Sequence, residues 1–257
     1  MRTLLLFCTS VLFAVSSAGC SKPASEAVSE PPEASAEVPS NESLRGPDAG
    51  EPGGSDPTVV DPDRYKTEFE NDAVRVLRIS YGPGEESVMH YHPASIAVFL
   101  TGGAVRMTMA DGTSTDASVP AGTATFSAGG EHRPMNLSDT AFEVVEIELK
   151  AREPGHGESG GPDSSVVDAD HYAVEFENDA IRILRISYGP GEESVLHYHP
   201  DSVAVFLTDH LVQMTMPDGE TDQIEASAGD VMFIPAGQHL PKNISDFRWE
   251  LVLVELK

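Results

Sequence analysis

Beyond residue 20 the chain has no cysteine. Only two occur in 257 residues, Cys8 and Cys20. Disulfides, thiolate catalysis and zinc–thiolate sites are therefore excluded from the region that can fold. Basic residues are also few: 16 Lys+Arg stand against 42 Asp+Glu, a formal net charge of -26. Such a surface repels phosphate backbones and anionic headgroups, which argues against nucleic acid as a partner. The acidity reads as solubility. No apolar run reaches the ~20 residues of a membrane-spanning helix, and no stretch carries sustained helical periodicity. A Ser-His-Asp order, a Gly-rich phosphate loop and an aromatic–basic patch are all missing.

What is present begins with an export signal. Arg2 precedes a largely apolar run from Leu4 to Val15, then small residues up to Cys20. A basic start, a short apolar core and small residues before a cut are the parts of a secretory signal. Residues 1–19 are read as that signal. Ser17-Ala18-Gly19-Cys20 resembles a bacterial lipobox, which implies lipidation of Cys20 and a protein held at the cell envelope by its lipid alone. The other reading is an ordinary cleaved signal with a spare cysteine. Residues 20–57 are Pro, Ser, Ala, Glu and Gly with few aliphatics. They cannot bury enough apolar surface to offset chain entropy and read as a disordered acidic tether.

The remainder is one sequence written twice. Residues 59–150 align with 166–257 without a gap. Glu68 to Ala73 equals Glu175 to Ala180, and Leu77 to Val88 equals Leu184 to Val195. This gives two domains, 58–151 and 166–257, joined by a Gly/Pro-rich linker at 152–165. Strand signals dominate each copy. Arg75–Tyr81 stops at Gly82-Pro83-Gly84, Ser87–His92 stops at Pro93, and Ile96–Leu100 is apolar enough for cover on both faces. Val105, Met107 and Met109 share a face, Gly122 opens another turn and strand, and Phe142–Leu149 closes the copy. Short strands with Gly/Pro turns make the fold class all-β, an antiparallel sandwich or barrel. Glu146 becomes Leu253 in copy two, so the last strand there is apolar on both faces. That suits burial between the domains or against a second copy in a homodimer.

The most conserved run between the copies, Gly82 to Pro93 and Gly189 to Pro200, changes only Met89 to Leu196. Each holds a His-x-His pair. Side chains two apart on a strand share a face, with Cα atoms about 6.5 Å apart. Both imidazoles can then meet one metal ion.

With Gly84, five residues and His90-Tyr91-His92, and with Gly191, five residues and His197-Tyr198-His199, the chain resembles a two-domain cupin, a bicupin of jelly-roll barrels. The second cupin motif is matched by Gly229, Pro235-Ala236-Gly237-Gln238-His239 and Asn243. In copy one it is matched by Gly122, Gly130, His132 and Asn136, without the proline. The resemblance covers both copies. It implies a metal site in each. The glutamate of the first motif would fall at Ile96 or Ala97, and at Val203 or Ala204, and none of these binds metal. Three histidines per domain remain: His90, His92 and His132; His197, His199 and His239. Some cupin dioxygenases are similar in using three histidines. A divalent transition metal so held (iron, manganese, nickel or zinc) keeps a charge near +2 and favours a small anionic molecule.

Several residues stand near this set. Glu86 and Glu193 share the histidines' parity and are candidates for an outer hydrogen-bonding shell. Tyr91 and Tyr198 point the other way and read as packing. His210 has Gly103 as its counterpart and reads as a surface-loop residue; His156 and His171 have no assigned role. The methionines read as core filling rather than copper ligands. Two functions stay open: a metal-dependent enzyme of the dioxygenase or isomerase kind, and a non-enzymatic small-ligand-binding protein whose histidines only line the pocket.

Overall fold

The computed structural model of the protein describes residues 54–151 and 160–257. The stretch read as a signal, Cys20, most of the stretch read as a tether and most of the stretch read as a linker, with His156, lie outside them. Within copy one the chain forms a one-turn helix α1 (Pro57–Val60) and strands β1 (Tyr65–Glu70), β2 (Val74–Tyr81), β3 (His90–His92) and β4 (Ser95–Phe99). Then follow β5 (Gly103–Met109), β6 (Ser114–Val119), β7 (Ala124–Ser127), β8 (Gly130–Asn136) and β9 (Phe142–Leu149). Copy two repeats this as α2 (Ser164–Val167), β10 (Tyr172–Glu177), β11 (Ile181–Tyr188), β12 (His197–His199) and β13 (Ser202–Phe206). It ends with β14 (His210–Thr215), β15 (Thr221–Ala226), β16 (Val231–Ile234), β17 (Gly237–Asn243) and β18 (Trp249–Leu256).

Each copy pairs two antiparallel sheets, β1-β2-β9-β4-β7 against β3-β8-β5-β6, and β10-β11-β18-β13-β16 against β12-β17-β14-β15. Partners distant in sequence sit side by side, as in a jelly roll. Gly82-Pro83-Gly84-Glu85 is a type II turn: proline holds the second position, and Gly84 takes φ 70° at the third. The chain expected as a strand over Ser87–His92 pairs regularly only at His90–His92. Ser87 instead turns its hydroxyl to Asp61 at 2.6 Å. Strands β1, β6 and β8 were not read from the sequence.

Alternation sends successive side chains of the larger sheets to two different cores. In β9, Phe142 and Val144 fill the first barrel while Val145 and Ile147 leave it. In β18, Trp249, Leu251 and Leu253 fill the second barrel while Val252, Val254 and Leu256 leave it. The departing rows of both copies, with Val74, Val76, Ile96 and Val98 against Ile181, Ile183, Val203 and Val205, form one shared core. The continuous apolar run at Ile96 therefore does have cover on both sides. Leu253 does not face the other copy; it faces its own barrel. Arg78 donates to Gly229 O at 2.7 Å and Arg185 to Gly122 O at 2.6 Å. These equivalent residues swap partners, so the copies meet about an approximate two-fold axis.

The described structure begins before the repeat as the sequence delimits it. Asp56, placed in the tether, caps α1 by accepting from Thr58 N at 2.8 Å. Asp163, placed in the linker, caps α2 through Ser165 N at 2.9 Å. Ser55 O and Pro162 O accept from Tyr91 N and Tyr198 N, tying these segments to the histidine strands.

Candidate metal centres

The structure brings His90, His92 and His132 together, and His197, His199 and His239, with one ligand atom from each residue of a triad within 4.8 Å of the others. Strand pairing does this: His90 faces His132 across β3 and β8, and His197 faces His239 across β12 and β17. Parity adds the third ring in each copy.

Hydrogen bonds fix which nitrogen is free. His90 Nδ1 donates to Val88 O at 2.8 Å, and His197 Nδ1 to Val195 O at 2.7 Å. His92 Nδ1 donates to Glu148 Oε1 at 2.7 Å, and His199 Nδ1 to Glu255 Oε1 at 2.6 Å. With Nδ1 committed, Nε2 is the acceptor nitrogen in all four rings, the arrangement metal-binding histidines use. His90 Nε2 is buried and has no protein partner. His197 Nε2 accepts from the Tyr172 hydroxyl at 3.0 Å. Burial, with the neighbouring imidazoles, lowers the pKa of His132 and His239 to about 3, and burial lowers His90 and His197 to about 4. Neutral rings with acceptor Nε2 atoms fit a divalent cation, which at His197 would replace the Tyr172 hydroxyl.

A carboxylate–arginine–carboxylate chain backs each site. Arg75 Nε donates to Glu148 at 2.5 Å and Arg75 Nη1 to Asp56 at 2.5 Å. Arg182 does the same for Glu255 at 2.5 Å and Asp163 at 2.7 Å. Burial would raise Glu148, but the hydrogen bonds from His92 and Arg75 outweigh it and lower its pKa. The expected outer carboxylates, Glu86 and Glu193, lie at the surface on Arg133 and Lys242. The turn after Gly84 breaks the parity that pointed them inward. The tyrosines behave as expected: Tyr91 and Tyr198 meet the incoming segments at Gly54 and Gly160.

Two further features were missed. Glu146 is buried inside the first barrel, where Ser95 Oγ donates to it at 2.5 Å and, among the described residues, no basic side chain hydrogen-bonds it. Burial raises its pKa. The signal was in the sequence, since Glu146 becomes Leu253, but not its direction. His210 is no surface residue: it opens β14, is 5% exposed, and packs on Trp249 and Phe206 with ring centroids 3.9 and 4.9 Å away. Burial alone lowers its pKa to about 4. His171 stacks on Tyr188 at 4.0 Å and bonds Asp168, a packing role.

No family model and no curated protein matches the chain. Solved structures do. A variant of Bacillus subtilis oxalate decarboxylase matches with TM-score 0.51 and 15% identity, over 75% of this chain and 72% of that one. AerE from Microcystis aeruginosa matches with TM-score 0.53 and 13% identity, over 76% of this chain and 97% of that one. A cupin domain from Bordetella pertussis is 26% identical over 34% of this chain and 91% of its own, with TM-score 0.32. At these identities the likeness concerns the fold: this chain has the cupin fold, with a histidine triad in each copy that could hold a metal.

Proposed function

We propose that this chain is an exported bicupin that holds one divalent transition metal per repeat through three histidines and works there on a small anionic molecule. The observation that carries the reading is the committed Nδ1 of His90, His92, His197 and His199, which leaves Nε2 in each ring to serve as ligand. Iron, manganese, nickel and zinc all suit such a set. A bound cation supplies Lewis acidity and a template for an anionic group. The signal at 1–19, Cys20 and the acidic tether support export and a lipid anchor at the cell envelope.

The copies divide the work. In the first, Glu146 stands beside the triad with its oxygen held by Ser95, and burial raises its pKa. That is the acid–base group an isomerase- or dioxygenase-like reaction needs. In the second, Leu253 replaces it, which favours binding without chemistry. Elemental analysis of protein purified without added metal should find about one equivalent per repeat. His90→Ala with His92→Ala should halve that. Less than about a tenth of an equivalent overturns the reading. Glu146→Gln should retain the metal and lose turnover of small enolizable acids. Turnover that survives Glu146→Gln removes the acid–base role.

A further inference from the structure

Three differences between the copies fall on one cavity. Gly103, Phe142 and Glu146 of the first copy become His210, Trp249 and Leu253. In the second barrel these three line a cavity of about 60 Å³ together with His199, His239 and Met214. The remaining lining is chiefly apolar.

Two buried nitrogens in these side chains have no protein partner: Trp249 Nε1 and His210 Nδ1. The residues are 2% and 5% exposed. An indole N–H can only donate, so it is not satisfied by rotating or changing tautomer. Leaving such a donor without a partner is costly, because its desolvation is not offset. The rings are also held in place. Trp249 lies between His210 at 3.9 Å and Tyr188 at 4.6 Å between centroids.

The first barrel shows what chemistry belongs here. At the position of Leu253 it carries its own carboxyl, Glu146, which accepts a hydrogen bond from the Ser95 hydroxyl at 2.5 Å. The matching Ser202 also lines the cavity, and it donates instead to Pro200 O at 2.6 Å. The second barrel has thus lost a tethered carboxyl and gained two nitrogens where the first barrel has a glycine and a phenylalanine. We infer that the second repeat binds a free short-chain monocarboxylate in this cavity, accepting from Trp249 Nε1 and His210 Nδ1 beside the His197–His199–His239 triad. Its charge needs a positive neighbour, so the inference rests on the metal reading for the cation at the triad.

Trp249 is the only tryptophan in the chain, so tryptophan emission reports this cavity alone. The full chain, loaded with zinc, is titrated with acetate, and bound zinc is measured on the same samples. The expected result is a saturable emission change for formate, acetate or propionate and none for hexanoate, which the volume excludes. His210→Phe should weaken acetate at least tenfold, and Leu253→Glu should abolish binding by restoring a tethered carboxyl. Because either change could disturb folding, Trp249→Phe, which copies the first barrel, is tested by calorimetry and should also weaken acetate at least tenfold. Zinc bound in both repeats with no acetate response, or a response that ignores all three substitutions, overturns this inference and leaves the metal reading intact. No zinc bound overturns both.

Discussion

At the scale of single residues, the histidines are less informative than what holds them. Glu148 and Glu255 each accept from one ligand ring and from one arginine, so they orient the imidazole and raise its basicity. Glu148→Gln keeps the shape and removes the charge. It should weaken metal binding in the first repeat about 10–100-fold while the second keeps its affinity. Glu255→Gln should do the reverse, with competition against a chelator as the measurement. Equal loss at both sites, or none, would show that these carboxylates do not act through their own histidines. Glu86 and Glu193 illustrate how a parity argument fails: it is valid only along an unbroken strand, and a Pro-Gly turn resets it.

At the scale of elements, the short segments ahead of α1 and α2 are parts of the sites. Asp56 joins the helix cap, Arg75 and, through it, Glu148 and His92. Its side chain is about a third exposed, so the ion pair itself is screened, and the cap sets the expected magnitude. Asp56→Ala should cost about 1 kcal/mol in urea unfolding. It should also loosen metal in the first repeat only. A variant with wild-type stability and affinity would make the segment dispensable. The signal for this was legible: the same register that aligns the repeats sets Gly54 and Asp56 against Gly161 and Asp163. Composition had assigned both segments to connecting chain, because a few polar residues carry no pattern until they meet a partner.

At the scale of the whole molecule, each barrel presents an apolar sheet face that only the other copy covers among the described residues. The two copies therefore share a core, and their stability is joint. Five histidines are neutral within the two barrels: His90 and His197 at about 4, His132 and His239 at about 3, His210 at about 4, all lowered first by burial. Unfolded histidines titrate near 6.5. Between roughly pH 6.5 and 4 the unfolded chain of metal-free protein binds more protons than the folded one. Stability is then full above that window and falls as pH drops through it, by about 1.4 kcal/mol per pH unit for each proton. His92, raised by its bond to Glu148 despite burial, opposes this. Urea midpoints of metal-free protein at pH 7.5, 6 and 5 should decline steadily. A flat profile would mean that the rings are hydrated.

The sequence by itself determined the duplication, the all-β class, the six histidines and the missing first-motif glutamate, because these are matters of identity and of period two along a strand. It also held the Glu146-to-Leu253 exchange. Tertiary structure alone decided what that exchange meant. Whether a strand residue faces its own barrel or the neighbouring one depends on which sheet covers each side, and both sides of β9 and β18 are covered. The same holds for His210, which one polar-looking loop context placed outside and the bulk of Trp249 and Phe206 encloses. Alternation along a chain assigns side chains to two faces; only packing between sheets names what lies beyond each.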